Sequence, residues 1–160
     1  MNLVCVTLIC TISGCPASGG INSLYSQLSS DRNVKVTRIE YTDIDNHVER
    51  IKNEWLDQCE IVISGHSIGA NKAVELANKV GVPVALVVTY DPTIRMEIQP
   101  KHKNIKKLIN IYGIPFMGVF GGGTVQGVIN IYHPQINHAF HASDPSSQQV
   151  LLSGVRDLLK

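Results

Sequence analysis

Residues 60–81 read EIVISGHSIGANKAVELANKVG, and the reading of this stretch decides the fold. Ile61, Val62 and Ile63 form a short β-branched run, the composition of a strand covered on both faces. Gly65-His66-Ser67-Ile68-Gly69 follows and fits G-x-S-x-G, a serine carried on a sharp turn from strand to helix. The glycines have a steric reason. In so strained a turn, a Cβ at either flanking position would collide with the neighbouring strand or helix. Beyond the turn, Ala70, Ala73, Val74 and Ala77 fall at i, i+3, i+4 and i+7, a small-residue face able to lie close against a sheet. Gly81, with Pro83 after it, ends that helix. A glycine-rich turn in a Rossmann-like protein would look similar locally, so the rest of the chain has to discriminate.

On either side, strands alternate with helices or long crossovers. Asn2 to Cys10 is apolar almost throughout and reads as a central first strand; Thr11 to Gly20 is a loop rich in glycine and serine. Ile21, Leu24, Tyr25 and Leu28 space a short amphipathic helix, and Val34 to Tyr41 alternates as an edge-like strand should. Asp45 is placed to cap a helix whose inner face is Val48, Ile51 and Trp55. Pro83 to Tyr90 is a fully apolar strand ending at Asp91-Pro92, Ile94 to Asn104 is polar and irregular, and Ile105 to Tyr112 is a fifth strand. Residues 113–127 form a loop carrying Phe116, Met117, Val119 and Phe120 ahead of Gly121-Gly122-Gly123, read as a flexible triplet. Val128 to Tyr132 is the sixth strand, and Asp144-Pro145 opens a last helix with Leu151, Val155, Leu158 and Leu159 facing inward. Mostly unbroken apolar strands argue a largely parallel sheet covered on both faces, in a single α/β domain.

Composition narrows the chemistry. The 160 residues carry 14 basic and 13 acidic side chains, and no basic run points to nucleic acid or an anionic membrane surface. No stretch has the length of a membrane span, so stable membrane insertion is not expected. Cys5, Cys10, Cys15 and Cys59 lack zinc spacing and disulfide-scaffold density, and read as reduced, mostly buried thiols of a cytoplasmic protein. Ile12-Ser13-Gly14-Cys15 also looks like a lipoprotein cleavage site, which would lipidate Cys15, but no Lys or Arg precedes the apolar run. There is no G-x-x-x-x-G-K-[ST], and the glycine triplet does not open a helix after a strand, so no nucleotide cofactor is implied.

A serine hydroxyl needs a base to become a nucleophile, and the base needs a carboxylate to orient it. Ser67, Asp91 and the late histidines follow the third, fourth and sixth strands, where loops converge on one edge of the sheet. Asp91 is equally readable as a turn-forming Asp-Pro, and Asp144 is better explained as a helix cap. His133, His138 and His141 cluster without the carboxylate or thiolate pair that a metal would want, so none is assigned to a metal. His66 is expected to point away from the serine and shape the turn, and His47 and His102 to lie on the surface. An oxyanion would be met by the backbone N–H of Ile68 and by one from the loop after the first strand, at Ile12 or Thr11.

GHSIG, TYDPT and INHAFHASDP together resemble the α/β-hydrolase family in a shortened form, across nearly the whole chain, and in particular small serine hydrolases of phage and bacterial genomes. The resemblance implies a three-layer sandwich with a six-stranded, mainly parallel sheet ordered 2-1-3-4-5-6, helices on both faces and no lid domain. It also selects His138 over His141 as the base. The family's usual acid follows a later strand, but no Asp or Glu lies between Glu97 and Asp144, so the acid is expected to have moved to Asp91. No His-Gly follows the first strand, which leaves the second oxyanion donor open. The implied activity is hydrolysis of a small carboxylic ester or thioester through an acyl-enzyme, with Phe116, Met117, Val119 and Phe120 as a possible acyl pocket. The alternatives are acyl transfer or a catalytically silent binding module. A monomer or homodimer is expected.

Overall fold

In a computed structural model, residues 2–11, 19–55, 58–118 and 120–160 are described. They form β1 (Val4–Cys10), α1 (Gly19–Leu28), β2 (Val34–Glu40), α2 (Ile44–Arg50) running into a π-turn at Ile51–Trp55, and β3 (Glu60–His66). Then come α3 (Ile68–Val80), β4 (Val84–Tyr90), β5 (Ile105–Tyr112), β6 (Ile129–Tyr132), a single 3₁₀ turn at His138–Phe140 and α4 (Pro145–Leu158). The six strands make one sheet in the order β2-β1-β3-β4-β5-β6, and every pairing is parallel. The order and the layering match the expectation.

Apolar residues on both sides of each central strand give two cores. Cys5 and Ile9 of β1 and Ile61 and Ile63 of β3 pack with Val48, Ile51, Trp55 and the small face of α3. Val4, Val6 and Leu8 of β1, with Val62, Leu86 and Val88, pack on the other face against Ile21, Leu24, Leu151 and Val155 of α1 and α4. The apolar positions expected to turn α2 and α3 inward do so, with Ala70, Ala73, Val74 and Ala77 wholly buried; on α1, Ile21, Leu24 and Leu28 are buried but Tyr25 is exposed. β2 and β6 are the edges, as expected of residues 34–41, but burial along β2 does not alternate: Val34 and Ile39 are buried in opposite cores and the residues between them are partly or fully exposed.

Four sequence-based expectations are corrected. Asp45 does not cap α2; the helix begins two residues earlier than such a cap implies, at Ile44 with Asp43 at the N-cap position, and Asp45 pairs with Lys79 at 2.9 Å. His47 is not on the surface. It lies on the buried face of α2 with Ile44 and Val48, its Nε2 is 2.8 Å from Thr7 Oγ1, and its ring meets Trp55 edge-on. Cys5 and Cys59 are not reduced thiols but a disulfide, with Cα atoms 5.8 Å apart. They meet because β1 and β3 are neighbours in a register that sets Val4 against Glu60. The glycine triplet, finally, is held rather than loose: Gly123 N–H donates to the Pro92 carbonyl at 3.0 Å, and Asn110 Nδ2 donates to the Gly123 carbonyl at 2.9 Å. Cys10 is buried and free, and Cys15 lies outside the described residues. Among the described residues no helix is long and apolar enough to cross a membrane.

The order of the strands also locates a crevice. The chain leaves β1 in one direction to build β2 and returns past it to build β3 to β6, and ligands of open parallel sheets bind at the carboxyl ends where such a reversal occurs. Ser67 follows β3, beside that point.

Candidate active site

The serine turn is as tight as its sequence demands. Ser67 has φ 58° and ψ −125°, a strained conformation for a residue with a side chain. A Cβ on Gly65 would stand 2.2 Å from the Gly69 carbonyl oxygen, and one on Gly69 would stand 2.5 Å from that of Ile9. The two glycines therefore let α3 close onto its own strand and onto β1. Ser67 N–H donates to the Tyr90 carbonyl at 2.9 Å, which carries the β3–β4 ladder one residue past the strands. Asp91 N–H does the same with Ile111 across β4 and β5, and His133 N–H with Tyr112 across β5 and β6. The sheet itself thus sets Ser67 and Asp91 side by side.

Asp91 is wholly buried, with φ 51°. Its Oδ1 accepts from Gly113 N–H at 3.0 Å and Gly122 N–H at 2.7 Å. Its Oδ2 lies 2.6 Å from His138 Nδ1. Burial pushes the carboxyl pKa up, but the His138 hydrogen bond and the two glycine N–H groups outweigh it, and the value falls below that of an ordinary aspartate. Gly121 (φ 80°) has to lack a side chain, because a Cβ there would lie 2.1 Å from Asp91 Oδ2 and 2.5 Å from His138 Nδ1. On α3, Asn71 ties down the segment after Asp91: its Oδ1 accepts from Thr93 N–H at 2.9 Å and its Nδ2 donates to the Thr93 carbonyl at 3.1 Å.

His138 arrives on the 3₁₀ turn after β6, capped by the Asn137 side chain accepting from Ala139 N–H. Its Nε2 stands 2.9 Å from Ser67 Oγ. Serine, imidazole and carboxylate therefore form one buried hydrogen-bonded line, with Asp91 wholly covered and Ser67 and His138 nearly so. His141 is wholly buried on the carboxylate side, its Nε2 3.8 Å from Asp91 Oδ2. Its pKa is lowered, chiefly by burial. His133 lies beyond it, with ring centroids 6.4 Å apart, and Asp144 caps α4 by accepting from Ser147 N–H at 2.8 Å. Among the described residues no group of three or more His, Cys, Asp or Glu could hold a metal ion.

Of the other candidates, Ile68 is the first residue of α3, where backbone N–H groups have no partner within the helix. Thr11 directly follows β1, whose Ile9 touches Gly69, while Ile12 and Val119 lie outside the described residues. Phe116 and Met117 line an open groove of about 330 Å³ with Ile114, Pro115 and residues 134–137. Phe120 does not line it; its ring stands 6.4 Å from that of His138 and beneath the Arg95 guanidinium. Two contributors were missed from sequence: the clamp that Gly113, Gly121 and Gly122 close around Asp91, and His66. His66 Nε2 meets the His138 carbonyl at 2.7 Å, and the two rings stand 5.0 Å apart. The density of glycines in residues 113–123 was the one signal of the clamp, and nothing in the sequence signalled the tie between His66 and His138.

No protein-family model matches the sequence, and no curated protein does. Solved structures do match. One is a serine hydrolase without a lid from Xanthomonas campestris, 14% identical, covering 96% of this chain and 81% of that one with a TM-score of 0.64. A serine hydrolase homologue from Coxiella burnetii is 14% identical over 96% of this chain and 84% of its own, TM-score 0.61. YbtT, the type II thioesterase of the yersiniabactin biosynthetic pathway, is 8% identical over 98% and 93%, TM-score 0.55. At such identities the likeness is one of architecture, and with the parallel sheet and the serine elbow it settles the architecture: this chain has the α/β-hydrolase fold.

Proposed function

We propose that the protein is a serine hydrolase that cleaves carboxylic esters or thioesters through an acyl-enzyme. The observation that carries this reading is the line from Ser67 Oγ through His138 (2.9 Å) to Asp91 (2.6 Å) on a strained elbow. A catalytically silent module has no need of this spacing. In the reaction, Ser67 Oγ bonds to the acyl carbon while His138 Nε2 takes its proton, and Asp91 stabilises the imidazolium. The carbonyl oxygen becomes an anion facing Ile68 N–H and a second donor from the loop after β1, Thr11 or Ile12. Collapse breaks the bond to the alcohol or thiol, which leaves with the proton from His138; water then releases the acid by the same route. Phe120 stands where an acyl or leaving group would pass, with the Phe116 and Met117 groove beside the histidine loop.

Neighbours of the same fold that are described as serine hydrolases and as a thioesterase support the reaction class. The test is a fluorophosphonate probe together with nitrophenyl acyl esters and an acyl-thioester. Wild type should be labelled at Ser67 and should turn over at least one series, and Ser67→Ala should do neither. Absence of both in the wild type would end this reading. Added alcohols that divert the acyl group from water would reassign it to acyl transfer.

A further inference from the structure

Residues 66 and 67 are consecutive, and both hold residue 138. Ser67 Oγ meets its ring Nε2 at 2.9 Å, and His66 Nε2 meets its backbone carbonyl at 2.7 Å. The second bond has a fixed polarity. A carbonyl oxygen only accepts, so the His66 proton has to sit on Nε2. The other ring nitrogen, Nδ1, is buried with no partner among the described residues, a place that tolerates a bare lone pair better than an N–H. His66 is 1% exposed, and burial first, then the neighbouring His138, bring its pKa down to about 4, so the ring is neutral near pH 7.

His138 needs such a hold. It sits in one 3₁₀ turn between a four-residue edge strand and α4, and Phe140 beside it is mostly exposed. The elbow is the opposite case, locked between β1, β4 and α3 by the contacts of Gly65 and Gly69. The Ser67 bond breaks and reforms whenever the proton moves. The His66 bond ends on the main chain and persists, so the imidazole can rock while its pivot stays put.

We infer that His66 is a positioning residue: its Nε2–H latches the main chain of His138 to the elbow and sets the distance between general base and nucleophile. The glycines and serine of G-x-S-x-G answer to sterics, but nothing in the pattern asks for histidine at this place. Its reason is the partner 72 residues away. The inference rests on the hydrolase reading above.

The tautomer is read first, on the wild-type protein at pH 7, from the ¹⁵N shifts and two-bond couplings of the His66 ring. A proton on Nε2 is expected; a proton on Nδ1 overturns the latch. Then kcat and KM on a nitrophenyl ester are compared for wild type, His66→Gln, whose amide can set an N–H where Nε2 stands, and His66→Phe, which fills the space without a donor. His66→Phe should lose kcat by about 30-fold or more with KM little changed, since a shift of an ångström in a reacting group costs up to about 100-fold. His66→Gln should recover most of it. Full kcat in His66→Phe, or equal losses in both folded variants, overturns the inference. Should His66→Phe not fold, the tautomer and the His66→Gln rate still decide. A wild type that neither turns over nor takes the probe sinks the hydrolase reading instead, and leaves the tautomer to judge the latch.

Discussion

Two opposing forces act on the carboxyl group of Asp91. Burial favours the protonated form, whereas the hydrogen bonds from His138, Gly122 and Gly113 favour the anion and prevail, so its pKa is depressed in the folded chain. The sign of the consequence follows. A depressed carboxyl contributes stability above its unfolded pKa of about 3.9, and that stability is lost as pH falls through the folded value. Asp91→Asn removes this contribution, so its denaturant midpoint should fall less than that of wild type between pH 5 and pH 3. The same substitution leaves Oδ1 to accept from the glycines but sets an NH₂ against His138 Nδ1, which favours the wrong tautomer. Its kcat should drop by about three orders of magnitude with fold and KM retained. A drop below tenfold would mean that the carboxylate is not the partner of the base.

Among the elements, the strand–elbow–helix unit makes the sharpest demand on sequence. Gly69→Ala would force a methyl group to 2.5 Å from the Ile9 carbonyl oxygen, backbone against backbone, and should cost about 2 kcal/mol or more with loss of probe labelling. Gly81→Ala, in open space at φ 68°, pays only for a left-handed residue, about 1 kcal/mol, and should leave labelling intact. Urea titrations of the two variants would rank them, and the reverse order would refute the packing argument. Gly121→Ala should be folded and nearly inactive, since its methyl would displace Asp91 and His138. The strands and the elbow were legible because their causes are local: unbroken β-branched runs, small residues at helical spacing, glycines around a serine. That Ser67, Asp91 and a late histidine meet at one rim was legible from their places after the third, fourth and sixth strands, whereas the choice of His138 over His141 came from the family resemblance. What escaped was long-range. His47 sits in polar sequence but on the buried side of α2, the glycine triplet acquires its task only when β4 and β5 bring Asp91 to it, and His66 is explained by residue 138 alone.

The whole molecule separates its support from its chemistry along the sheet. The disulfide joins Cys5 near the start of β1 to Cys59 just before β3, while Ser67 follows the far end of β3. A seven-residue strand spans about 23 Å, so the covalent link and the serine stand at opposite rims. The cross-link spans 54 residues, and by the chain-entropy account closing a loop of that size in the unfolded state is worth about 4 kcal/mol. The pair lies on the core face that carries α2 and α3, so serines there would also put hydroxyls among Ile61, Val48 and Trp55. Reduction without mutation is the cleaner perturbation. Thiol reductant should lower the thermal midpoint by many degrees, and alkylation followed by mass mapping should find Cys5 and Cys59 modified only after reduction. At a temperature where the reduced protein is still folded, ester turnover should be unchanged within about twofold, because the Ser67–His138–Asp91 line stands at the opposite end of β3 from the cross-link. A large fall in kcat in a folded, reduced protein would show that strain passes along β1 to the Ile9–Gly69 contact, and that the two rims are coupled.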